Sequence, residues 1–487
     1  MFADRIFSES SAEYSSRLIV IDQDGIGSKY DYKSIFTQNG FEIVYYKDDL
    51  DFRANYNDAI YSSNGKYLVL ASDKAYIPYD IRQVFKTFYL NYSSLFPKLN
   101  DAAVRILTAE ELDILSFAYK SCFESYADKS SAEQYIRFEA LSRNNIEQYL
   151  NTKIKEMYEL AGSAKNYIDW RNLAVRKSFI DVKAAEYDIS VNTDKINLGF
   201  VDFVLKDFGK LSIALEVGNP VTVSRAMEYM TESSSKFVII VMDGMSEFDW
   251  QIISRGFADL CFSKTDIYAM IPTTTSISRQ CLLSNKYPKQ LIEPWHQNKE
   301  KQEFIQCAKS LGFSDSQIAY ERGYDTEFDA SVKCGTVIIN DVDDMLHGQK
   351  QGRRGMYNDI SLLTKTGKLQ TLVKQLLSQG FDVYISADHG NTLCTGMGKL
   401  TKTGVETETK SRRMVVLKDY ADKQGIIDKF NMIDYPKTYL DDSYEYLICN
   451  VGQSFDSLGE EVISHGGITL DEVIVPFITI KAEDNNG

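Results

Sequence analysis

Apolar runs alternate with amphipathic segments along most of this chain. Early on, residues 17–22, 41–46, 67–71 and 104–107 are short β-rich runs with polar or amphipathic stretches between them. That rhythm predicts βαβ units. From about 110 to 185 the period changes. Apolar residues recur at helical spacing, as in Leu112, Ile114, Leu115, Phe117 and Ala118, or Ile154, Met157, Tyr158 and Leu160. This predicts a mainly helical connector. Residues 200–205 and 211–217 look like a brief return to strand.

From 231 the α/β rhythm resumes and lasts to the end. Candidate strands are 237–242, 267–271, 337–340, 381–387, 414–417, 446–451 and 474–480. Several are continuously apolar, which suits strands buried on both faces of a mostly parallel sheet. Leu362, Leu363, Leu369, Leu372, Val373, Leu376 and Leu377 mark a helix over 360–379, with Gly380 as its stop. The polar stretch 391–413 reads as a long loop. The expected organisation is an α/β domain (1–110), a helical connector (111–230) and a second α/β domain (231–487). A length of 487 residues agrees with that, at about 150 residues per domain.

Composition narrows the function. With 44% hydrophobic and 25% charged residues, the chain is of the folded, soluble kind. Its longest strongly apolar run, 237–242, is far short of the roughly 20 residues of a membrane span. The opening MFADRIFSESS lacks the apolar core of a signal peptide. The net charge of −15 argues against coating a long nucleic-acid duplex, though a small basic pocket for one phosphate stays open. The seven cysteines are scattered, with no CxxC pair. No disulfide framework or zinc knuckle is expected, and a cytoplasmic location is.

The four histidines give the sharpest signal: His296, His347, His389 and His465. Three stand beside Asp or Gly where strands end, in DVDDMLHG, ADHGN and SHGG. Asp343 and His347 are four apart, so a helical turn puts them on one face. Asp388 and His389 follow a buried strand, and His465 has permissive Gly neighbours. Asp243 follows another buried strand in KFVIIVMDGMS, where it equally serves as a turn cap. In IPTTTSISRQ a run of hydroxyls leads into a helical pattern. A Thr there is either an N-cap or a nucleophile activated by a metal. Together these side chains are the inventory of two N/O sites for zinc-like ions. His296, in EPWHQNKE, lies outside the motifs and reads as structural.

The order of these motifs resembles the alkaline phosphatase superfamily. VMDGMS, PTTTSISR, DVDDMLHG, SADHGN and SHGGITLDEVIVPFI are similar to its PglZ-domain branch, which includes components of bacterial BREX phage-defence systems and the effector domain of the PorX response regulator. The resemblance covers about 231–483. It implies an alkaline-phosphatase-like, mostly parallel sheet flanked by helices. It also implies that Asp243, Thr275, Asp388 and His389 hold one divalent ion while Asp343, His347 and His465 hold the other. The ions would be zinc, with manganese as the alternative. Thr275 matches the second Thr of the family's P-T-x-T and becomes the expected nucleophile. Arg279, one turn on, touches substrate or a neighbouring carboxylate.

The expected function is therefore a two-metal phosphodiesterase. It would act on nucleotide or short oligonucleotide diesters through a phospho-threonine intermediate, in phage defence or signalling. The alternatives are a non-catalytic PglZ scaffold in a defence complex, and a phosphomonoesterase. Arg353 and Arg354, and Lys399, Lys402, Lys410, Arg412 and Arg413 of the loop, are candidates for the phosphate approach path, or plain solvated charges. Asp22, Asp24 and Asp73 loosely resemble the acids of a receiver module. A docking role toward a defence partner is the preferred reading of the N-terminal domain.

Overall fold

The computed structural model describes residues 1–61, 64–399, 411–418 and 422–485. The chain forms two compact units, Met1–Thr152 and Lys153–Gly487. The first is built on β1 (Arg17–Asp22), β2 (Phe41–Tyr45), β3 (Lys66–Ala71) and β4 (Lys86–Leu90). These form an all-parallel sheet in the order β2-β3-β1-β4. Alternation along β1 feeds both faces. Leu18 and Val20 enter one core with Phe2, Phe36, Leu112 and Leu115, while Ile19 and Ile21 enter the other with Phe52, Val69 and Ile81.

The expected strand at 104–107 is a helix end instead. Asn100 caps Asp101–Arg105 through Ala102 N, and Thr108 caps the next helix, Ala109–Ala118. The fourth strand is Lys86–Leu90, a part-exposed edge with a weak apolar signal. Residues 111–152 do not form a connector, because the helices there bury Leu112, Leu115, Ala132 and Ile136 in the first unit's core.

The second unit contains β5 (Phe237–Met242), β6 (Ser263–Tyr268), β7 (Ile318–Arg322), β8 (Cys334–Ile339) and β9 (Asp382–Ser386). Six short strands follow: β10 (Thr392–Gly396), β11 (Met414–Leu417), β12 (Ile433–Asp434), β13 (Glu445–Ile448), β14 (Gln453–Ser454) and β15 (Glu461–Ser464). The last strand is β16 (Ile474–Ile480). The main sheet has the order β6-β16-β9-β5-β8-β7. Strands β9, β5, β8 and β7 run parallel, and β16 runs antiparallel to both neighbours. This is a mostly parallel sheet flanked by helices, as the apolar runs predict. Every residue of β5 and β8 is buried.

Two details differ from expectation. The stretch 200–205 is helical: Phe200 and Phe203, in Lys195–Asp207, lie against Trp170. Residues 211–217 form no strand, and Ile213, Leu215 and Val217 are exposed. The helix expected over 360–379 is two, Gly352–Lys365 and Lys368–Ser378, parted at Gly367 in the left-handed region (φ 68). It ends at Gly380 in a Schellman arrangement, with Gly380 N on Leu377 O and Phe381 N on Leu376 O. The supposed loop 391–413 begins with β10. Lys402 and Lys410 lie outside the described residues.

Candidate metal centre

Register places the site. Val241 pairs with Ser386 and Met242 with Ile339, so the chain leaves β5, β9 and β8 side by side at their carboxyl ends. Asp243 and Asp388 emerge there together, which is where open α/β sheets gather ligands. Gly244 turns away at once with φ 72, and its N–H donates to Asp388 Oδ1 at 3.2 Å. From β8 the chain enters Asp341–Gly348, and that helix carries Asp343 and His347.

The short strands complete the arrangement. β10 starts just after His389 and β15 ends just before His465, and they pair antiparallel with Thr392 opposite Ser464. This pairing brings the two histidines together: their rings stack at 4.1 Å with an interplanar angle of 12°.

Two triads result, Asp243–Asp388–His389 and Asp343–His347–His465. In each, one ligand atom per residue lies within 4.8 Å of the others. In the first, His389 Nε2 is 3.7 Å from Asp388 Oδ2 and 3.8 Å from Asp243 Oδ1. Thr275 Oγ1 joins it, 3.1 Å from His389 Nε2 and 3.4 Å from Asp243 Oδ1. In the second, Asp343 Oδ2 is 3.4 Å from His347 Nε2, and Asp343 Oδ1 is 3.6 Å from His465 Nε2.

The donor set fits divalent cations. His389 Nδ1 donates to Gly390 O at 2.9 Å and His465 Nδ1 to Thr273 O at 3.1 Å. Carbonyls only accept, so the proton sits on Nδ1 and each Nε2 presents a lone pair to its triad. Asp388 Oδ2 and Asp343 Oδ1 are buried without a hydrogen-bond partner among the described residues. Such atoms are costly to leave unmatched, and a cation matches them.

Electrostatics agree. Burial, then the Asp243 charge, pushes the Asp388 carboxyl well above the usual range. Burial, then neighbouring His389, pushes His465 down to about 4. Burial also opposes ionisation of Asp343, but the His347 hydrogen bond and the His465 and His389 charges outweigh it and hold that carboxyl low. The same hydrogen bond raises His347, while burial and the nearby Arg412 charge oppose the rise.

A cavity of about 800 Å³ opens over the site. Asp243, Thr275, Asp343, His347 and His465 line it. Asp388 and His389 lie fully buried behind.

The arginines settle differently. Arg279 is wholly buried. Its Nη1 donates to Asp243 Oδ2 and its Nε to Glu300 Oε2, both at 2.6 Å. Of its two expected contacts, the carboxylate is the one the structure shows. Arg353 is drawn to Asn391, with Nη1 to Oδ1 at 2.7 Å, and stacks over Phe248. Arg354 pairs with Asp188 at 2.6 Å. Neither lines the cavity. Arg413 is buried against Glu472 and Cys394, whereas Arg412 does line the cavity.

Sequence reasoning missed another part of the lining, Trp295, His296, Gln297 and Asn298. Gln280, just after Arg279, donates from Nε2 to Ser276 O at 2.5 Å and has the Glu293 and Pro294 carbonyls within 3.4 Å for its second hydrogen, and so ties that segment to the Thr275 turn. It also missed Asn340. This residue occupies an N-cap position without capping, lines the cavity, and has no hydrogen-bond partner for Oδ1 among the described residues.

Residues 224–480, more than half of the chain, match the model of the BREX system PglZ alkaline phosphatase-like domain. The chain belongs to the PglZ family. The PglZ segment spans the main sheet and every residue of both triads. Among solved structures, murine ectonucleotide pyrophosphatase/phosphodiesterase 5 is similar at 13% identity and a TM-score of 0.35, over 50% of this chain and 88% of that one. Its human counterpart shares 14% identity over 51% and 89%, with a TM-score of 0.34. Phosphonoacetate hydrolase from Sinorhizobium meliloti 1021, in complex with phosphonoformate, shares 11% over 50% and 90%, with a TM-score of 0.31. No curated protein matches the chain. Among the described residues, no helix is long and apolar enough to cross a membrane.

Proposed function

We propose that this PglZ protein is a metal-dependent phosphohydrolase acting on nucleotide or short oligonucleotide phosphodiesters, with Thr275 as nucleophile. The observation that carries the reading is the Thr275 hydroxyl. It stands at the cavity wall, 3.1 Å from His389 Nε2 and 3.4 Å from Asp243 Oδ1. Asp243, Thr275, Asp388 and His389 would hold one cation and Asp343, His347 and His465 the other, with zinc favoured by the mixed N/O donors and manganese the alternative. When bound, the cations supply Lewis acidity, lowering hydroxyl and water pKa and offsetting charge in the displacement.

The chain's own groups then act in order. Asp243 and His389 orient the Thr275 oxygen, whose proton leaves to solvent in the cavity. Oγ1 attacks phosphorus, the bond to the departing oxygen breaks, and that oxygen takes a proton from water. Thr275 now carries the phosphoryl group. Water attacks the phosphorus, the Oγ1–phosphorus bond breaks, and a phosphomonoester leaves as the hydroxyl is restored. The buried Asp388 and the Arg279–Asp243 bond keep the first triad in place through both steps.

Charge favours a diester. A monoester phosphate is a dianion and calls for more positive charge than a diester monoanion. Arg279, beside the nucleophile, is spent on Asp243 and Glu300. Arg412 is the one Lys or Arg side chain lining the cavity among the described residues. Membership of a BREX-linked family supports a place in phage defence beside protein partners. The scattered free cysteines support a cytoplasmic setting.

The test is Thr275→Ala. The variant retains bound metal and loses hydrolysis of bis(p-nitrophenyl) phosphate with zinc or manganese supplied. Wild-type turnover by the variant removes Thr275 from the role. Wild-type protein that binds neither metal points instead to a scaffold subunit.

A further inference from the structure

Arg412 is built into the cavity wall. Its backbone carbonyl accepts from Phe455 N at 2.7 Å, and the next residue's carbonyl accepts from Cys449 N at 2.8 Å. Its Nη1 is fixed by Asp456 Oδ1 at 2.8 Å, and Asp456 is buried. Nε and Nη2 make no hydrogen bond among the described residues, and the side chain is 49% exposed. A guanidinium held at one corner, with its remaining donors free toward a cavity, is preset to accept an oxyanion.

Its position decides which oxyanion. Ser411 lies against Gly466, beside His465, since a Cβ on Gly466 would meet Ser411 Oγ at 2.0 Å. Arg412 therefore stands on the flank of the Asp343–His347–His465 triad. Thr275 stands with the other triad, across the His389–His465 stack. Attacking and departing oxygens lie roughly in line across phosphorus. With Thr275 on one side, the departing group leaves toward the second triad and meets Arg412. An uncharged sugar has no use for a cation there.

Resting on the diesterase reading, we propose that Arg412 receives a second phosphate carried by the departing group. The substrate class is then a phosphodiester or phosphoanhydride whose departing fragment is itself phosphorylated. Both an oligonucleotide and a nucleoside polyphosphate have that chemistry.

The experiment compares wild type, Arg412→Gln and Arg412→Lys, all checked for equal metal content. The substrates are thymidylyl-thymidine, the same dinucleotide with an added 5′ or 3′ terminal phosphate, and a nucleoside triphosphate. Wild type prefers one phosphorylated form over the plain dinucleotide by at least about tenfold in kcat/KM, the scale of one charged hydrogen-bonded contact. Arg412→Gln shrinks that preference to about threefold or less, and Arg412→Lys falls between. The phosphorylated dinucleotides and the triphosphate separate the two sources. Equal losses on plain and phosphorylated substrates, or no wild-type preference, overturn the proposal while plain-dinucleotide cleavage leaves the diesterase reading standing. Absence of cleavage of every diester removes both.

Discussion

Arg279 donates to Asp243 Oδ2 at 2.6 Å, and this bond leaves the other oxygen, Oδ1, facing Thr275 at 3.4 Å. Glu300 holds Arg279 from the far side, and Tyr320 and Arg322 hold the other oxygen of Glu300. A metal-ligand candidate is thus aimed by a chain of charges that runs inward from exposed Arg322 on the edge strand β7 to buried Glu300 and Arg279.

Weakening this chain should loosen the first metal before it unfolds the protein. Glu300→Gln keeps the shape and removes the charge. We expect a roughly 10- to 100-fold fall in affinity at the Asp243 triad, the usual cost of losing an outer partner. Metal titration by calorimetry reads it directly. Unchanged affinity would make the Glu300–Arg279 pair purely architectural.

Metal loading should release protons. Asp388 is held above its usual range and His347 above its own, and both must give up protons to become ligands. Affinity therefore rises with pH while those groups remain protonated. His465, already down at about 4, contributes no proton near neutrality. Calorimetry in buffers of different ionisation enthalpy counts the protons, and Asp388→Asn should lower the count. Zero release from wild type at pH 6 contradicts the assigned ligands.

Gly390 tolerates no side chain. A Cβ there would stand 2.0 Å from the Asp471 carbonyl oxygen, a backbone atom with no room to yield. Gly390→Ala should cost about 1–3 kcal/mol in stability, as overpacking does. It should also displace His389. Urea unfolding and metal content check both, and a silent substitution would mean that the Leu470–Val473 turn moves freely.

Lys177 is buried between Asp181, at 2.6 Å, and Asp471, at 2.9 Å. Lys177→Met leaves Asp181 and Asp471 without the ammonium that bonds to both. The expected loss is roughly 3–5 kcal/mol, because uncompensated buried charge is the expensive outcome. A midpoint shift of a few tenths of a molar in urea would be too small for that account.

The central strands were legible because their apolar runs are unbroken. Phe237–Met242 and Ile474–Ile480 have the bounds expected from the pattern. The triad residues were legible for a different reason: histidine is scarce here, and three of the four stand beside Asp or Gly at strand ends. What stayed hidden depends on partners distant in the chain. Arg279 looks the same in sequence whether it meets substrate or a carboxylate, and Glu300, 21 residues later, decides it. In sequence Glu300 is one acid in a charged helix start. His296 looked structural because nothing local shows that Gln280 bonds to the carbonyls of its segment at the cavity rim. Lys86–Leu90 was missed since an edge strand need not be apolar.

The reversed strand β16 has a consequence for the order in which the enzyme comes into being. Among the described residues, β6 has β16 as its only neighbour in the main sheet, and the turn that bears Thr275 follows β6. A ribosome delivers β16 after every other strand of that sheet. Until β16 pairs between β6 and β9, the strand that leads to Thr275 is not joined to the rest of that sheet, and His465 has only just been made. Before that, a nascent chain can hold at most the Asp243–Asp388–His389 set, which needs only β5 and β9, without Thr275 or the second triad. Chemistry and architecture are completed in one late closing event.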